Sequence, residues 1–301
     1  MIIYHSALNI NDEFNDLLLE YDLRVNVLRS FYPKPDSERQ ECINRMFLDS
    51  GAFSAFNKGV ELDVKKYADY IEKNKEKWDD IAGLDVIFDV EKSMKNQTYL
   101  DKRGLDTIPT YHYKNPDQHL EYLLDHYDHI AFGGMKNARM TEGLKYWLDR
   151  SWNIIKKRNW KGKVHGFALT SFKLMKRYPW YSVDSTTAPT AARVGELLHP
   201  TGRLPISKAI TRNNQIHTKL KLESTVDFVT NLMGSDFPIE KLFDSEKDRD
   251  EVNGGMFNTE KDKGTTTATK YRTLVNVAYI HKKIAEYDTS FESMKIKNRL
   301  L

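Results

Sequence analysis

Cysteine occurs once in 301 residues, at Cys42. That excludes an intramolecular disulfide and any zinc site built from several cysteines, and it is compatible with a reducing cytosol. No apolar run approaches the ~18 residues of a membrane-spanning helix. The opening residues Met1-Ile2-Ile3-Tyr4-His5 lack the basic-then-apolar pattern of a secretory leader. The expectation is a soluble cytoplasmic protein with no membrane partner. Net charge is scarce as well: 46 Lys and Arg against 43 Asp and Glu leave +3, too little to argue for nucleic acid by itself. The common signatures of cofactor and nucleophile chemistry are missing. No glycine-rich dinucleotide fingerprint follows a strand, and there is no phosphate-binding glycine loop, serine nucleophile elbow or His-Glu-x-x-His helix. Solenoid-period repeats and low-complexity tracts are absent too.

What is present is a regular alternation of two periods. Short apolar runs occur at Ile2–His5, Arg24–Leu28, Met46–Asp49, Ile81–Val86, Thr107–His112, His129–Gly133, Lys163–Ala168 and Trp180–Asp184. Most are rich in Ile, Val and aromatics and end in Gly, Asp or His, the pattern of buried parallel strands. Between them lie helical stretches. Val64, Tyr67, Ala68 and Ile71 share one face of Leu62–Lys77, and Leu144, Trp147, Leu148 and Ile155 one face of Met140–Lys157. Asn96–Arg103 and Pro116–His126 fit the same role. Eight strands alternating with helices imply an α/β fold, a (β/α)8 TIM-type barrel, with an open doubly wound sheet as the alternative. The barrel core is expected over 1–190, and 191–301 as a C-terminal helical extension packed on it. Within that extension the pattern reads as a short helix at Ala191–Leu198, a strand or loop at Leu204–Ile210, and helix or strand at Thr225–Met233. Pro238–Phe243 reads as helical, about 250–267 as an exposed loop, and Thr269–Tyr287 as a final helix presenting Leu274, Val277, Ala278 and Ile284 on one face.

The chain is organised around Phe47-Leu48-Asp49-Ser50-Gly51-Ala52-Phe53. An apolar run ends on a carboxylate and turns through Ser50-Gly51 into an aromatic, which is how a buried strand delivers an acid to the mouth of a pocket. Tyr181-Ser182-Val183-Asp184-Ser185 repeats the design. In a (β/α)8 barrel functional groups sit at the C-terminal strand ends. Those ends place Asp49, Asp85 with Asp89, His112, Gly133-Gly134, His165 and Asp184 at one mouth. Each has an ordinary reading beside the functional one. A strand-end Asp caps the next helix, the two histidines could bond neighbouring loops, and Phe53 could pack under its loop or wall a planar ring. Two carboxylates facing one cavity suit chemistry at an anomeric carbon, one as nucleophile and the other as acid or base. Gly133-Gly134 could offer backbone N–H groups to a carbonyl or phosphate.

From Ser151 to Tyr178 there are eight Lys or Arg and no acid. The part preceding Lys163 belongs to the face opposite the site and reads as solvation. Lys173, Lys176 and Arg177 follow the strand, and Arg193 follows Asp184, so these four are the phosphate-binding candidates. His119, His126 and His129 read as solvated surface, and His281 as a core histidine of the last helix.

The motifs together resemble a known family, the tRNA-guanine transglycosylases. Phe47–Phe56 is similar to the family's Asp-Ser-Gly-Gly-aromatic-Gln segment, and Tyr181–Gly195 to its nucleophile segment. Ala82–Ser93 resembles its Asp-Glu substrate-binding segment, and Ala131–Met135 its Gly-Gly-Leu loop; all four come in the family's order. The resemblance covers roughly 44–195. It implies a (β/α)8 barrel exchanging guanine in a polynucleotide for a 7-deazaguanine base such as preQ0. Asp184 would attack C1′, Asp49 would handle the base proton, and Phe53 would stack on the base beside Ser50 and Gly51. Asp85 would recognise the amino-pyrimidine edge, and Gly133 and Gly134 would bind its carbonyl; the strand-end reading adds His112 and His165 as substrate-binding candidates. Two departures stand out. The family's zinc set of three Cys and a His has no counterpart here, and Ser54 replaces its Gln. Because the zinc subdomain supports tRNA docking, the nearer likeness is to the short, zinc-free DNA-guanine transglycosylase-like proteins of phages and bacterial islands. The implied partners are DNA ahead of tRNA, with no cofactor and no metal, in a bacterial or phage-infected cell; a homodimer is allowed. Two other readings stay open: a glycosidase or transferase acting on a nucleoside or nucleotide sugar with the same two Asp, and a non-catalytic nucleic-acid-binding barrel.

Overall fold

The computed structural model describes residues 1–135, 142–206, 225–242, 266–287, 290 and 294. They fall into two compact units: Met1–Leu8, Arg24–Ser185 and Tyr287–Leu301 contribute to one, Asn9–Leu23 and Thr186–Glu286 to the other. The first unit is an α/β structure on an eight-stranded sheet. Its strands are β1 (Ile2–Ser6), β2 (Val25–Ser30), β3 (Ile43–Asp49), β4 (Asp80–Ile81), β5 (Thr110–His112), β6 (His129–Gly133), β7 (Lys163–Gly166) and β8 (Ser182–Ser185). All pairings are parallel, in the order β4-β3-β2-β1-β8-β7-β6-β5. Each of the eight runs recognised by periodicity overlaps one of these strands, although Ile81–Val86 does so only at Ile81, because β4 ends there. Tyr4, Leu28, Phe47, Ala82, Ile108 and Ala131 form one buried cluster on the inner face. A flat sheet would hold Ala82 and Ile108, beside opposite outer strands, far apart, so the sheet is curled. A parallel bridge joins those two residues, with Ile108 N–H donating to Ile81 O and Gly83 N–H to Ile108 O, both at 2.8 Å.

Three helices of this unit start where a polar side chain satisfies a first-turn N–H group. Asp63 caps α2 (Val64–Asn74) and Asp89 caps α3 (Val90–Lys102), so of the two neighbouring acids it is Asp89 that caps and not Asp85. The six-residue helix α1 (Ala52–Asn57) follows β3 directly. Helix α4 spans Asp117–His126, α5 Glu142–Lys157, and α6 Phe172–Arg177 with Ser171 as its cap. Against the outer face packs an aromatic layer: Tyr111 stacks on Trp147 at 5.3 Å, and Trp152 meets Trp180 edge-on at 5.2 Å. Such pairs add about 0.5–1.5 kcal/mol each beyond their area burial.

Of the histidines expected on the surface, His119 is buried and His129 is half-buried. His119 is enclosed by Tyr111, Asn115 and the Met94 sulfur, because α3 packs over that side of α4. His129 sits against Asp80 and Tyr181, and burial lowers its pKa to about 4. Asp80 belongs to a polar group at the strand starts: Tyr4 Oη donates to it, and Arg45 bonds both Tyr4 Oη (3.0 Å) and Asp80 Oδ2 (3.1 Å).

The second unit contains α7 (Asp12–Glu20), α8 (Thr187–Arg193), the antiparallel pair β9 (Glu196–His199) and β10 (Gly202–Pro205), helix α9 over 225–233, a 3-10 turn at Ile239–Leu242 and α10 (Thr267–Ala285). The helix expected over Ala191–Leu198 is corrected: α8 stops at Arg193, Gly195 takes φ +74°, and the chain leaves as β9. A left-handed residue just past a helix is a C-terminal stop that glycine alone adopts without strain. Residues 225–233 are helical. The Leu204–Ile210 stretch begins in β10 and ends outside the described residues, as does nearly all of the loop expected at about 250–267. Helix α10 is buried on more than the one face expected, with Lys270, Arg272, Thr273 and Asn276 also enclosed. Asn276 explains how a polar face can be buried. Its amide donates to Ala188 O and Glu196 O and accepts from Leu198 N–H at 2.7 Å, joining α8, β9 and α10. Lys270 reaches Glu13 of α7. No described helix is long and apolar enough to cross a membrane.

Candidate active site

Successive residues of a strand alternate faces, so positions two apart share the inner face. From Phe47 the next inner position is Asp49, from Leu28 it is Ser30, from Tyr4 it is Ser6, and from Ser182 it is Asp184. Four strands thereby carry polar groups to one end of the sheet. The register places Ser30 beside Asp49, and the Ser30 hydroxyl donates to Asp49 Oδ2 at 2.9 Å. The Gly51 N–H reaches the same oxygen at 3.2 Å. Asp184 is 6% exposed, with Oδ2 accepting from Ser6 Oγ at 2.6 Å and Oδ1 from Ala168 N–H at 2.7 Å.

Burial pushes the Asp49 carboxyl up from 3.8 to about 7, and the negative charges of Asp184 and Asp85 push in the same direction against the bonds from Ser30 and Gly51. Nearby like charges and a low-dielectric setting both disfavour the ionised form of a carboxyl. A carboxyl titrating near neutrality can both give and take a proton. Beneath it, the buried Tyr67 hydroxyl donates to Ala82 O, and burial together with Asp49 and Asp85 holds it well above the usual phenol range.

His112, at the end of β5, bonds Asp85 Oδ2 through Nε2 at 2.8 Å. Burial pulls the imidazole pKa down, but the Asp85 charge and hydrogen bond outweigh it and the net shift is upward. Gly133 and Gly134 lie against this ring. A Cβ on Gly133 would come within 2.8 Å of Thr110 Cγ2 and 3.0 Å of His112 Nδ1. The pair therefore makes room for the Asp85–His112 couple, a role beyond the donor role its sequence implied. Gly51 is fixed by its φ of +76° and by the Tyr32 carbonyl oxygen, 2.7 Å from where a Cβ would stand. Ser50 is buried in the same turn, and Phe53 is half-buried on α1.

His165 reaches the site only through Asp184. At 0% exposure it shares a hydrogen bond with Ser182 Oγ at 2.8 Å, places Nε2 3.5 Å from Asp184 Oδ1, and packs on Phe47 and Phe167. Of the four cations, Lys173 and Lys176 lie on α6. Arg177 instead forks onto Asp149 of α5 at 2.8–3.0 Å and bonds Tyr178, pinning two helices together. Asp149→Ala is expected to cost about 2–3 kcal/mol in urea unfolding, below the 3–5 of a fully buried pair because Arg177 stays 22% exposed. Arg193 is on α8 in the second unit.

The sequence reading missed Ser6, Ser30 and Tyr67. The two serines end β1 and β2, so the strand-end rule that found Asp49 also reaches them. Among the described residues no group of three His, Cys, Asp or Glu is placed to hold a metal ion. No protein-family model matches the chain, and no curated protein matches it.

Proposed function

We propose that this chain is a transglycosylase of the guanine-exchange type, working on a closed (β/α)8 barrel with DNA favoured over tRNA as polymer. One observation carries the proposal: Asp49, raised to about 7, shares a mouth with an Asp184 held by Ser6 and Ala168. The bridge between Ala82 and Ile108 supports closure of the barrel.

In this reading an Asp184 oxygen attacks C1′ while the C1′–N9 bond breaks and its electron pair passes to the guanine. Asp49, protonated, gives its proton to the departing base. The incoming 7-deazaguanine returns a proton to Asp49 and attacks C1′. The ester bond then breaks, restoring the Asp184 carboxylate. Two hydrogen bonds from Ser6 and Ala168 disperse the charge of Asp184 and so make it a competent leaving group as well as a nucleophile. Asp85, with Oδ2 held by His112, leaves Oδ1 to accept from N1–H or the exocyclic amine of the base. No cofactor enters.

The test is labelled-guanine exchange into tRNA, duplex DNA and single-stranded DNA side by side. Incorporation into DNA is the expected result; incorporation into tRNA alone would move the polymer assignment. A second reading, cleavage of a free nucleoside or nucleotide sugar, draws on Arg177, whose commitment to Asp149 removes one of the four phosphate candidates. Release of base from a nucleoside without exchange into any polymer would establish that reading instead.

A further inference from the structure

Phe88 is 87% exposed and carries a φ of +66°. It occupies the third position of a tight turn closed by Asp89 N–H donating to Val86 O at 2.9 Å. A positive φ there is the place for glycine or asparagine, and an aromatic holds it only under strain. The ring gains no burial in return. Its aromatic neighbour is Phe56, itself 50% exposed, meeting it edge-on with centroids 5.6 Å apart and planes at 81°. Both follow acids of the candidate site along the chain: Phe88 is three residues past Asp85, and Phe56 lies on α1, the helix that follows Asp49. Val60 is exposed beside them in sequence, and Lys58 is an exposed cation between Phe56 and Val60.

We propose that Phe56 and Phe88 form a stacking platform for an unpaired nucleobase of the polymer, one that neighbours the nucleotide in the pocket. This rests on the polynucleotide reading above. The edge-on arrangement leaves ring faces open to a planar base, and stacking on such a face tolerates any base. Extruding a nucleotide strips its neighbour of a stacking partner, and an aromatic at the mouth replaces it. A protein partner fits less well: two rings and a valine are far smaller than the ~800 Å² a side of an ordinary protein interface. The cation at Lys58 suits a phosphate.

The test uses the full chain and binding rather than turnover. Fluorescence anisotropy compares a labelled single-stranded oligodeoxynucleotide with an abasic strand of the same length. Phe88→Ala should weaken binding of the base-bearing strand roughly tenfold, leave the abasic strand unchanged, and melt within about 2 °C of wild type. Phe88→Tyr should retain the binding, and Phe56→Ala should show a smaller loss. Equal affinity of wild type and Phe88→Ala for the base-bearing strand overturns the platform. So does a wild-type chain that self-associates in sedimentation and loses only that association on Phe88→Ala, which would make the pair an interface between copies. If guanine exchange fails while the Phe88-dependent binding stands, the transfer chemistry falls and the platform does not. If exchange occurs and Phe88→Ala binds as wild type, the platform alone falls.

Discussion

Asp184→Asn should abolish the covalent enzyme–polynucleotide adduct and lower exchange by about 10⁴-fold or more, the scale on which removing a nucleophile acts. The fold should survive. The substituted amide keeps an oxygen for the Ala168 N–H, which donates at 2.7 Å, and its NH2 group can face Ser6 Oγ, because a hydroxyl accepts as readily as it donates. Stability within about 1 kcal/mol of wild type is therefore expected. Asp184→Ala behaves differently: it strands the Ala168 N–H and should cost about 1–3 kcal/mol besides the activity. The comparison separates nucleophile from brace. A labelled strand trapped on a denaturing gel reads the adduct, and an adduct of undiminished yield in Asp184→Asn would falsify the assignment.

The strands of the sheet and the acids at their ends were readable for one physical reason. A parallel strand buried on both faces has to be an apolar run, and a polar residue ending it has to face something other than core. Asp49 and Asp184 meet that description, and period-two alternation puts both on the inner face. The couple between Asp85 and His112 was not readable. Asp85 and Asp89 are four apart in a loop of similar composition, and only the placed chain shows that one caps a helix while the other meets an imidazole. His119 misled because it borders the Leu120, Leu123 and Leu124 face of α4, and its burial depends on Met94 of a different helix. In the second unit the strand at Glu196–His199 hid within an apolar helical pattern, although Gly195 marked the stop. Phe88 was invisible from sequence, since neither its φ nor its exposure can be inferred from an aromatic following Val86-Ile87.

Asp49→Asn should slow exchange about 10²–10⁴-fold, the usual loss of a general acid–base, and at the same time stabilise the protein. The second effect identifies the cause. In the folded chain the carboxyl titrates near 7 and in the unfolded chain near 3.8. A raised folded pKa means that the native state holds this proton more tightly than the unfolded state does. Its contribution to stability is complete below about 4 and is lost as pH rises through about 7. At pH 8 wild type carries the penalty of an ionised Asp49 beside Asp184 and Asp85. The variant's neutral amide, which never ionises, does not. The shift corresponds to ~4 kcal/mol at most, and water reaching the carboxyl at the mouth reduces it to about 2. Urea unfolding should therefore find Asp49→Asn about 2 kcal/mol more stable than wild type at pH 8, with no such advantage at pH 4. The limb of the wild-type pH–rate profile near 7 should vanish in the variant. A purely structural Asp49, held for its bonds to Ser30 and Gly51, predicts the reverse: a variant destabilised at both pH values and an unaltered profile. Group for group, the residue that lowers the stability of the folded chain at neutral pH is the one best placed to move the proton.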